Sequence, residues 1–248
     1  MRLKALELRQ EVLGKNHQDT AKSMSDLADT YHKQGRYCDA EKVKNKALSL
    51  QREVLGEKHP DTIRSMADLA ATYHNQGQYE DAESIYQEVL EFRREVLGEK
   101  HPDTISSMAG LATTYDQQGR YDEAEILKDK ALELRREVLG EKHPDTIRSM
   151  ADLAATYYAQ GRYDKDEEIS VKTLELRREV LGEKHPDTIS SMADLATTYH
   201  NQGRYNTALE LHQTALDLRR NTLGATHPDT MQSVAYLAST QDAIQQPP

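Results

Sequence analysis

The sequence has a single cysteine, Cys38, and no tryptophan. One cysteine cannot form an intrachain disulfide or a cysteine-rich zinc site, which excludes a disulfide-stabilised secreted domain. The sequence also has no apolar run near the roughly 18 residues of a membrane-spanning helix, and its first residues lack a signal-peptide core. These absences predict a cytoplasmic protein without a membrane segment.

Phenylalanine is nearly absent, and basic residues are outnumbered by acidic ones. The chain has one phenylalanine, and hydrophobic residues make up only 37% of it. Its core must therefore rest on leucine, alanine, methionine, isoleucine and tyrosine, which favours a thin helical architecture with much surface. The net charge of −10 repels phosphate backbones and anionic lipid headgroups. We therefore expect neither a nucleic-acid partner nor a membrane partner.

A tetrapeptide recurs along the chain at a constant spacing of 42 residues. It reads HPDT in five copies and HQDT in the first, and the copies begin at His17, His59, His101, His143, His185 and His227. The longer string RREVLGEKHPDTI is identical from Arg93, Arg135 and Arg177, which indicates tandem duplication. Each unit is long enough to hold two helices.

The repeat at residues 59–100 shows where its helices should begin and end. The first is predicted to begin at Pro60, because proline is tolerated at the first helical position, and to end just before Gly77, which can adopt the left-handed conformation that terminates helices. The second is predicted to run from about Tyr79 to Gly98. Apolar residues recur on one face of each helix at spacings of three and four, so both helices should be amphipathic.

One pair of amphipathic helices cannot bury its apolar faces, so neighbouring pairs must stack. This predicts an all-α fold, a right-handed α-solenoid or superhelix of antiparallel helix pairs. Because no linker divides the chain, we expect a single solenoid over residues 1–248. Its predicted parts are a partial second helix over 1–16, complete repeats over 17–58, 59–100, 101–142, 143–184 and 185–226, and a terminal first helix over 227–248.

The residues at fixed positions of the unit carry a family resemblance. They are Met66, Leu69, Ala70, Tyr73, Gly77, Tyr79 and Ala82 in the second complete repeat, and they resemble a tetratricopeptide repeat. That repeat has about 34 residues, whereas a period of 42 with VLG and HPD resembles the kinesin light chain subtype, which also occurs in signalling NTPases of the STAND or NLR type. The resemblance implies a protein-binding scaffold with a concave groove.

One departure from that family concerns the groove itself. The resemblance implies that light chains hold cargo peptides with an asparagine, and this chain has Asp68, Asp152 and Asp194 at that position. The inward lysines and asparagines of chaperone-binding members are also missing. The resemblance therefore implies the scaffold and does not imply binding of motor cargo.

The common sequence motifs of catalysis and cofactor binding are absent. The sequence has no GxxxxGK[ST] for phosphate and no HExxH for zinc, and its repeated serines have no unique base beside any one of them. The repeated histidines belong to successive units, too far apart to share one metal ion, so each is expected to be a structural residue at a helix start. We therefore expect no enzyme activity, no catalytic residue, no cofactor and no metal site.

The near-identical repeats differ from one another at five sites of the first helix, which share one stripe beside the packing face. In the family this stripe lines the concave groove. The predicted partner-binding residues on it are Arg64, Asp68, His74, Asp116, Arg148, Asp152, Tyr158, Asp194, His200 and Tyr236. Alternatively the face has drifted, and Arg64–Asp68 and Arg148–Asp152 are ordinary ion pairs one turn apart. Gly110, in the same stripe, is expected to open space in the groove.

The predicted function is therefore a scaffold that binds a protein or peptide of unidentified sequence, as part of a larger protein. The alternative is a self-associating structural or sensor arm of a STAND- or NLR-type signalling NTPase. Both ends of the array lack a polar capping helix, so Leu3, Leu6 and Leu237 should be partly uncovered and should favour weak end-to-end association of the chain with itself.

The fourth complete repeat departs from the others at one packing position. Asp166 stands where the other complete repeats have Ala40, Ala82, Ala124 and Ala208, at the close crossing of the two helices. A carboxylate there must either push the helices apart or be buried with a hydrogen-bond donor. We interpret Asp166 as a packing defect, the alternative being a cation site or a hinge formed with Glu167 and Glu168.

Overall fold

The structure of the protein, a computed structural model, describes residues 2–245. This part of the chain contains twelve α-helices and no β-strand. The helices are α1 (Arg2–Leu13), α2 (Gln18–Lys33), α3 (Tyr37–Leu55), α4 (Pro60–Asn75), α5 (Tyr79–Leu97), α6 (Pro102–Gln117), α7 (Tyr121–Leu139), α8 (Pro144–Ala159), α9 (Tyr163–Leu181), α10 (Pro186–Asn201), α11 (Tyr205–Leu223) and α12 (Pro228–Gln245). The all-α fold and the regular alternation of two helices per repeat are confirmed.

Each first helix begins at the repeated tetrapeptide. In α4, His59 is the N-cap: its Nδ1 accepts the backbone N–H of Asp61 at 3.1 Å, and Pro60 is the first helical residue. The same cap recurs at His17, His101, His143, His185 and His227. It satisfies one of the backbone N–H groups that a helix leaves free at its start. The interpretation of these histidines as structural residues is confirmed.

The helices end at the predicted glycines. After α4, Gly77 has a φ of +79°, and its N–H donates to the carbonyl of His74 at 3.0 Å. The next N–H, of Gln78, donates to the carbonyl of Tyr73 at 2.9 Å. Glycine adopts this left-handed conformation without the steric cost of a Cβ, so it closes the helix and satisfies its last carbonyls.

The chain forms two compact units, Met1–Leu127 and Lys128–Pro248. In the first unit, each helix from α1 to α5 packs against the next one along the chain. In the second unit, each helix from α8 to α11 packs against its successor in the same way. The pairing of sequential helices is what the repeat pattern predicts.

The core of each unit uses the same repeat positions. In the first unit, Ile63, Met66 and Leu69 of α4 form a cluster with Leu48 and Val89 of the flanking second helices. In the second unit, the equivalent residues of α10 cluster with a leucine of α9 and two alanines of α11, namely Ile189, Met192, Leu195, Leu174, Ala208 and Ala215. Apolar burial at fixed repeat positions therefore stabilises both units.

The predicted uncovered residues at the two ends of the array behave differently from one another. Leu3 is 53% exposed, as predicted, and Leu237 is half-buried. Leu6 is only 8% exposed, so the prediction that it is uncovered is wrong. It lies on α1, which packs against α2, and that contact covers this side chain.

No helix within residues 2–245 has both the length and the apolar character needed to cross a membrane.

Candidate functional site

The variable stripe of the first helices lines cavities in both units. In the second unit, Tyr158, Asp194 and Tyr236 line one cavity of about 230 Å³, which also includes Asp166 and Ser170 of α9. We call it the Asp166 cavity. In the first unit, two of the predicted residues line a cavity of about 460 Å³ together with residues of α2, among them Arg64, Asp68, Lys22, Asp26 and Asp29. Five of the ten predicted residues therefore meet in these two places.

The three predicted aspartates Asp68, Asp152 and Asp194 are closely surrounded by protein but are not fully buried. Burial raises the pKa of Asp68, and the nearby Lys44 opposes that rise. Burial likewise raises the pKa of Asp152 and of Asp194. The side chains of Asp152 and Asp194 nevertheless remain in contact with solvent. These carboxylates therefore give the stripe an acidic, solvent-accessible surface.

The two histidines among the predicted partner-binding residues are hydrogen-bonded to the following first helix. Nδ1 of His74 lies 3.2 Å from Oγ1 of Thr114, and Nδ1 of His200 lies 3.1 Å from Oγ1 of Thr240. Their rings also pack edge-on against Tyr79 and Tyr205, respectively. Burial lowers the pKa of His74. Both histidines therefore connect neighbouring repeats, and their roles in partner binding stay predictions. At the position equivalent to theirs, Asp116 is half-buried.

The arginines of the stripe do not use the partners that the sequence suggested. Arg64 donates to Asp61 at 2.5 Å, and Arg148 donates to Asp145 at 2.7 Å. Each arginine thus reaches back three residues instead of forward four. The reason is that Asp61 and Asp145, the aspartates of the two HPDT motifs, lie in the first turn of the helix and within reach of the arginines. The expected Arg64–Asp68 and Arg148–Asp152 pairs are replaced by these contacts.

Sequence reasoning missed a second set of residues, which lies on the second helices and faces the stripe. Each of these residues lies 24 positions before one stripe site, the site that holds Asp68, Gly110, Asp152, Asp194 and Tyr236 in successive repeats. The facing residues, in the same order, are Lys44, Tyr86, Lys128, Ser170 and His212. We call each such meeting point a junction, numbered by the repeat that supplies the facing residue. The only sequence signal was that this position varies in step with the stripe.

The first and third junctions are filled by a buried lysine. Lys128 is 6% exposed, and its Nζ donates to the carbonyl of Asp152 at 2.8 Å and to Oγ1 of Thr156 at 2.6 Å. Lys44 is 5% exposed and donates to the carbonyl of Asp68 at 2.8 Å. Burial lowers the pKa of Lys44, which Asp68 and Asp29 partly counter. These junctions show that the site can hold an ammonium group.

The second junction corrects the interpretation of Gly110. A Cβ at this glycine would lie 2.9 Å from two ring atoms of Tyr86, so the tyrosine occupies the space that the missing side chain leaves. Burial raises the pKa of Tyr86 to about 12. Gly110 therefore does not open the groove, because the facing helix fills it. At the fifth junction an aromatic pair does the same: the rings of His212 and Tyr236 stack 5.7 Å apart.

The fourth junction is the open one, because Ser170 is too short to fill it. Asp166, one turn earlier on α9, is 3% exposed and accepts hydrogen bonds from Oγ of Ser170 at 2.8 Å and from Oγ1 of Thr198 at 2.6 Å. Of the two possibilities foreseen for Asp166, burial with donors is the one observed. Burial raises its pKa, and the charged neighbour that raises it further is Glu167.

The alternative of a cation site shared by three acidic residues is not what the geometry gives. Glu167 pairs with Arg204 at 2.7 Å and accepts a hydrogen bond from Gln202 at 2.9 Å, so it is directed at the turn before α11. Glu168 is exposed. Of these three acidic residues, only Asp166 lines the cavity. Within residues 2–245 no group of three histidine, cysteine or acidic side chains is arranged to hold a metal ion.

A further repeated contact explains the serines of the first helices. Arg93 donates to Oγ of Ser107 and to the carbonyl of Asp103, each at 2.7 Å. The same tie joins later repeats through Arg135 with Ser149, Arg177 with Ser191 and Arg219 with Ser233. These serines are therefore packing residues, as their repetition indicated.

Comparison with known proteins shows which family this architecture resembles. The family model described as tetratricopeptide repeat matches residues 1–52, 33–95, 67–128 and 117–165, and a second model of the same description matches residues 146–187 and 188–229. No curated protein matches the sequence.

Several solved structures resemble the chain. The kinesin light chain nearly identical TPR-like repeats of Podosopora anserina are 25% identical, with a TM-score of 0.74 over 83% of this chain and 98% of that one. BtubC from P. vanneervenii is 22% identical, with a TM-score of 0.74 over 92% and 89%. A STAND protein with a tetratricopeptide repeat sensor from Pyrococcus horikoshii is 16% identical, with a TM-score of 0.74 over 99% of this chain but 36% of that one. The family models cover most of the sequence, and the chain belongs to the tetratricopeptide repeat family.

Proposed function

We propose that this protein is a non-enzymatic scaffold, acting inside the cell, that binds an extended or helical polypeptide along the variable stripe of its first helices. The observation that carries the proposal is the position of the differences between repeats. Residues that pack the helices are repeated almost letter for letter, whereas each cavity also includes residues that change from repeat to repeat, such as Tyr158, Ser170 and Tyr236 in the Asp166 cavity.

The lining of the Asp166 cavity suits a polypeptide. Tyr158 and Tyr236 are 37% and 38% exposed, so each offers part of an aromatic face beside hydroxyl and carboxylate acceptors. Aromatic side chains with one free face are common anchors at protein interfaces. The hydroxyl of Tyr158 accepts a hydrogen bond from Asn201 at 2.8 Å, which holds its ring in place.

The test is a displayed library of random peptides, selected on the full chain. We expect selected peptides to bind the variant Tyr158→Ala/Tyr236→Ala at least about tenfold more weakly, because two partly buried aromatic contacts are lost. The control is Ile126→Ala: Ile126 is 69% exposed and lies outside the stripe. Equal loss in the control, or unchanged affinity in the double variant, would refute the use of this stripe.

A second candidate is self-association, as in a sensor arm of a signalling ATPase. Its support is helix α12, which exposes Met231 at 61%, Val234 at 43% and Ile244 at 39%. Exposed apolar residues on one helix favour contact with another apolar surface. Light scattering over a range of concentrations tests it: a mass that rises in the native chain but not in Met231→Ser/Val234→Ser would support association through α12.

A further inference from the structure

The fourth junction retains the atoms that hold a lysine ammonium elsewhere in the chain. At the third junction those atoms are the carbonyl oxygen of Asp152 and Oγ1 of Thr156. The equivalents at the fourth junction are the carbonyl of Asp194 and Oγ1 of Thr198, which lie within 3.1 Å of each other. The chain supplies Ser170 there instead of a lysine, so these acceptors border the Asp166 cavity.

The fourth junction also has a carboxylate one turn before the facing residue, where the other complete repeats have alanine. Asp166 replaces an alanine, and its carboxylate is bonded to the same Thr198 hydroxyl that borders the ammonium position. A lysine ammonium has three N–H donors and no acceptor. The carbonyl of Asp194, the hydroxyl oxygen of Thr198 and the carboxylate of Asp166 provide three acceptors for it.

The buried carboxylate is a second, independent sign of a cationic ligand. Asp166 is only 3% exposed, and both of its hydrogen-bond donors are neutral hydroxyls. A buried carboxylate is normally paired with a cation, because burial disfavours an isolated charge. Within residues 2–245, no lysine, arginine or histidine pairs with this carboxylate.

The walls of the Asp166 cavity suit the hydrocarbon part of a lysine. Ala151, Ala155, Tyr158 and Tyr236 border the opening, and the cavity measures about 230 Å³. Alkyl chains pack against such surfaces, and a tyrosine face attracts a nearby cation.

We propose that the Asp166 cavity binds the side-chain ammonium of a lysine presented by the polypeptide partner. The partner lysine would enter from the stripe and place its ammonium where Lys128 places its own at the third junction. This inference rests on the proposed function, since it names a subsite within the same stripe.

A direct test uses two capped tripeptides, acetyl-Ala-Lys-Ala-amide and the same peptide with norleucine in place of lysine. Titration of the full chain, followed by NMR, should give saturable shifts at Tyr158 and Thr198 with the lysine peptide, and about tenfold weaker binding or none with norleucine. Equal binding of the two peptides would overturn the proposal. n-Butylamine is a third probe: if it binds as tightly as the lysine peptide, the site serves small amines, and the assignment to a polypeptide is overturned.

The variant Ser170→Lys supplies the ammonium from within the chain, as Lys128 does. We expect it to fold normally and to lose binding of the lysine peptide by about tenfold or more. Its control is Glu175→Gln, an exposed change on the same helix with the same change in net charge. If Ser170→Lys binds the lysine peptide as tightly as the native chain, the subsite lies elsewhere and the proposal is wrong.

The peptides selected for the proposed function separate the two claims. If their affinity falls with Tyr158→Ala/Tyr236→Ala but not when each lysine is changed to norleucine, the stripe binds polypeptides and the lysine subsite is refuted. If no library peptide binds the chain, the proposed function fails and the subsite fails with it. Both claims are supported if changing one particular lysine of a peptide to norleucine lowers its affinity for the native chain about tenfold but does not lower its affinity for Ser170→Lys.

Discussion

The third and fourth junctions have nearly the same surroundings, but a lysine side chain fills the third and a cavity occupies the fourth. In both, an arginine of the second helix donates to a serine of the next first helix: Arg135 to Ser149 and Arg177 to Ser191. The third is filled by Lys128, whereas the fourth has Ser170 and a cavity of about 230 Å³. Ser170 and Asp166 stand where the third repeat has Lys128 and Ala124, and Thr173, which also lines the cavity, stands where it has Ala131.

This comparison shows how a duplicated scaffold can acquire a site without changing its fold. Most packing residues of the two repeats match, so the helices keep their places, and one shortened side chain leaves room at the surface of the stripe. Buried polar groups must still be satisfied. In the fourth junction Ser170 and Thr198 satisfy Asp166, which holds a carboxylate at the edge of that room.

The largest expected effect comes from opening the filled junction. Lys128→Ser should lower the free energy of unfolding by about 2 kcal/mol, because it removes two hydrogen bonds from a charged donor and leaves a hole. Urea unfolding at neutral pH measures it. Lys130→Ser, an exposed lysine on the same helix that pairs with Glu133 at 3.7 Å, is the control and should change stability by under about 0.5 kcal/mol. A similar small change in Lys128→Ser would contradict the filled-junction description.

The second junction offers a paired test of a smaller effect. Gly110→Asp introduces the stripe residue of the neighbouring repeats, and its Cβ would meet the ring of Tyr86 at 2.9 Å. We expect a loss of about 1.5 kcal/mol, limited because the ring can move part of the way. Adding Tyr86→Lys recreates the Lys44–Asp68 combination and should recover most of that loss. A double variant no more stable than Gly110→Asp would show that the two positions are not coupled.

Much of the fold followed from the sequence because the signals were local and repeated. Pro60 fixes a helix start and Gly77 a helix end through backbone geometry, and each signal returns every 42 residues. The histidine caps were likewise foreseeable, since an acceptor beside a proline at a helix start has a local role.

The facing residues could not be predicted in the same way. Lys128 and Asp152 lie 24 residues apart on different helices, and whether their side chains meet depends on how those helices pack. The role of Gly110 was misread for this reason: within its own helix it is only a missing side chain, and Tyr86 explains it from the facing helix. For Arg64 the local pattern allowed two partners, and side-chain geometry selected Asp61.

The smallest effect, and the sharpest comparison, concerns the charge at the fourth junction. Burial raises the pKa of Asp166, so the folded state binds its proton more tightly than the unfolded state does. The ionised carboxylate therefore costs stability above its folded-state pKa, and that cost disappears as the pH falls below the unfolded-state pKa.

Asp166→Ala should raise the free energy of unfolding by about 1 kcal/mol at pH 7, because Ser170 and Thr198 can bond to helix carbonyls instead. The gain should shrink on acidification. Urea unfolding at several pH values measures it, with Glu168→Ala as an exposed control. If Asp166→Ala is less stable at pH 7, the two hydroxyl bonds outweigh burial of the charge, and Asp166 stabilises the fold that it was predicted to weaken.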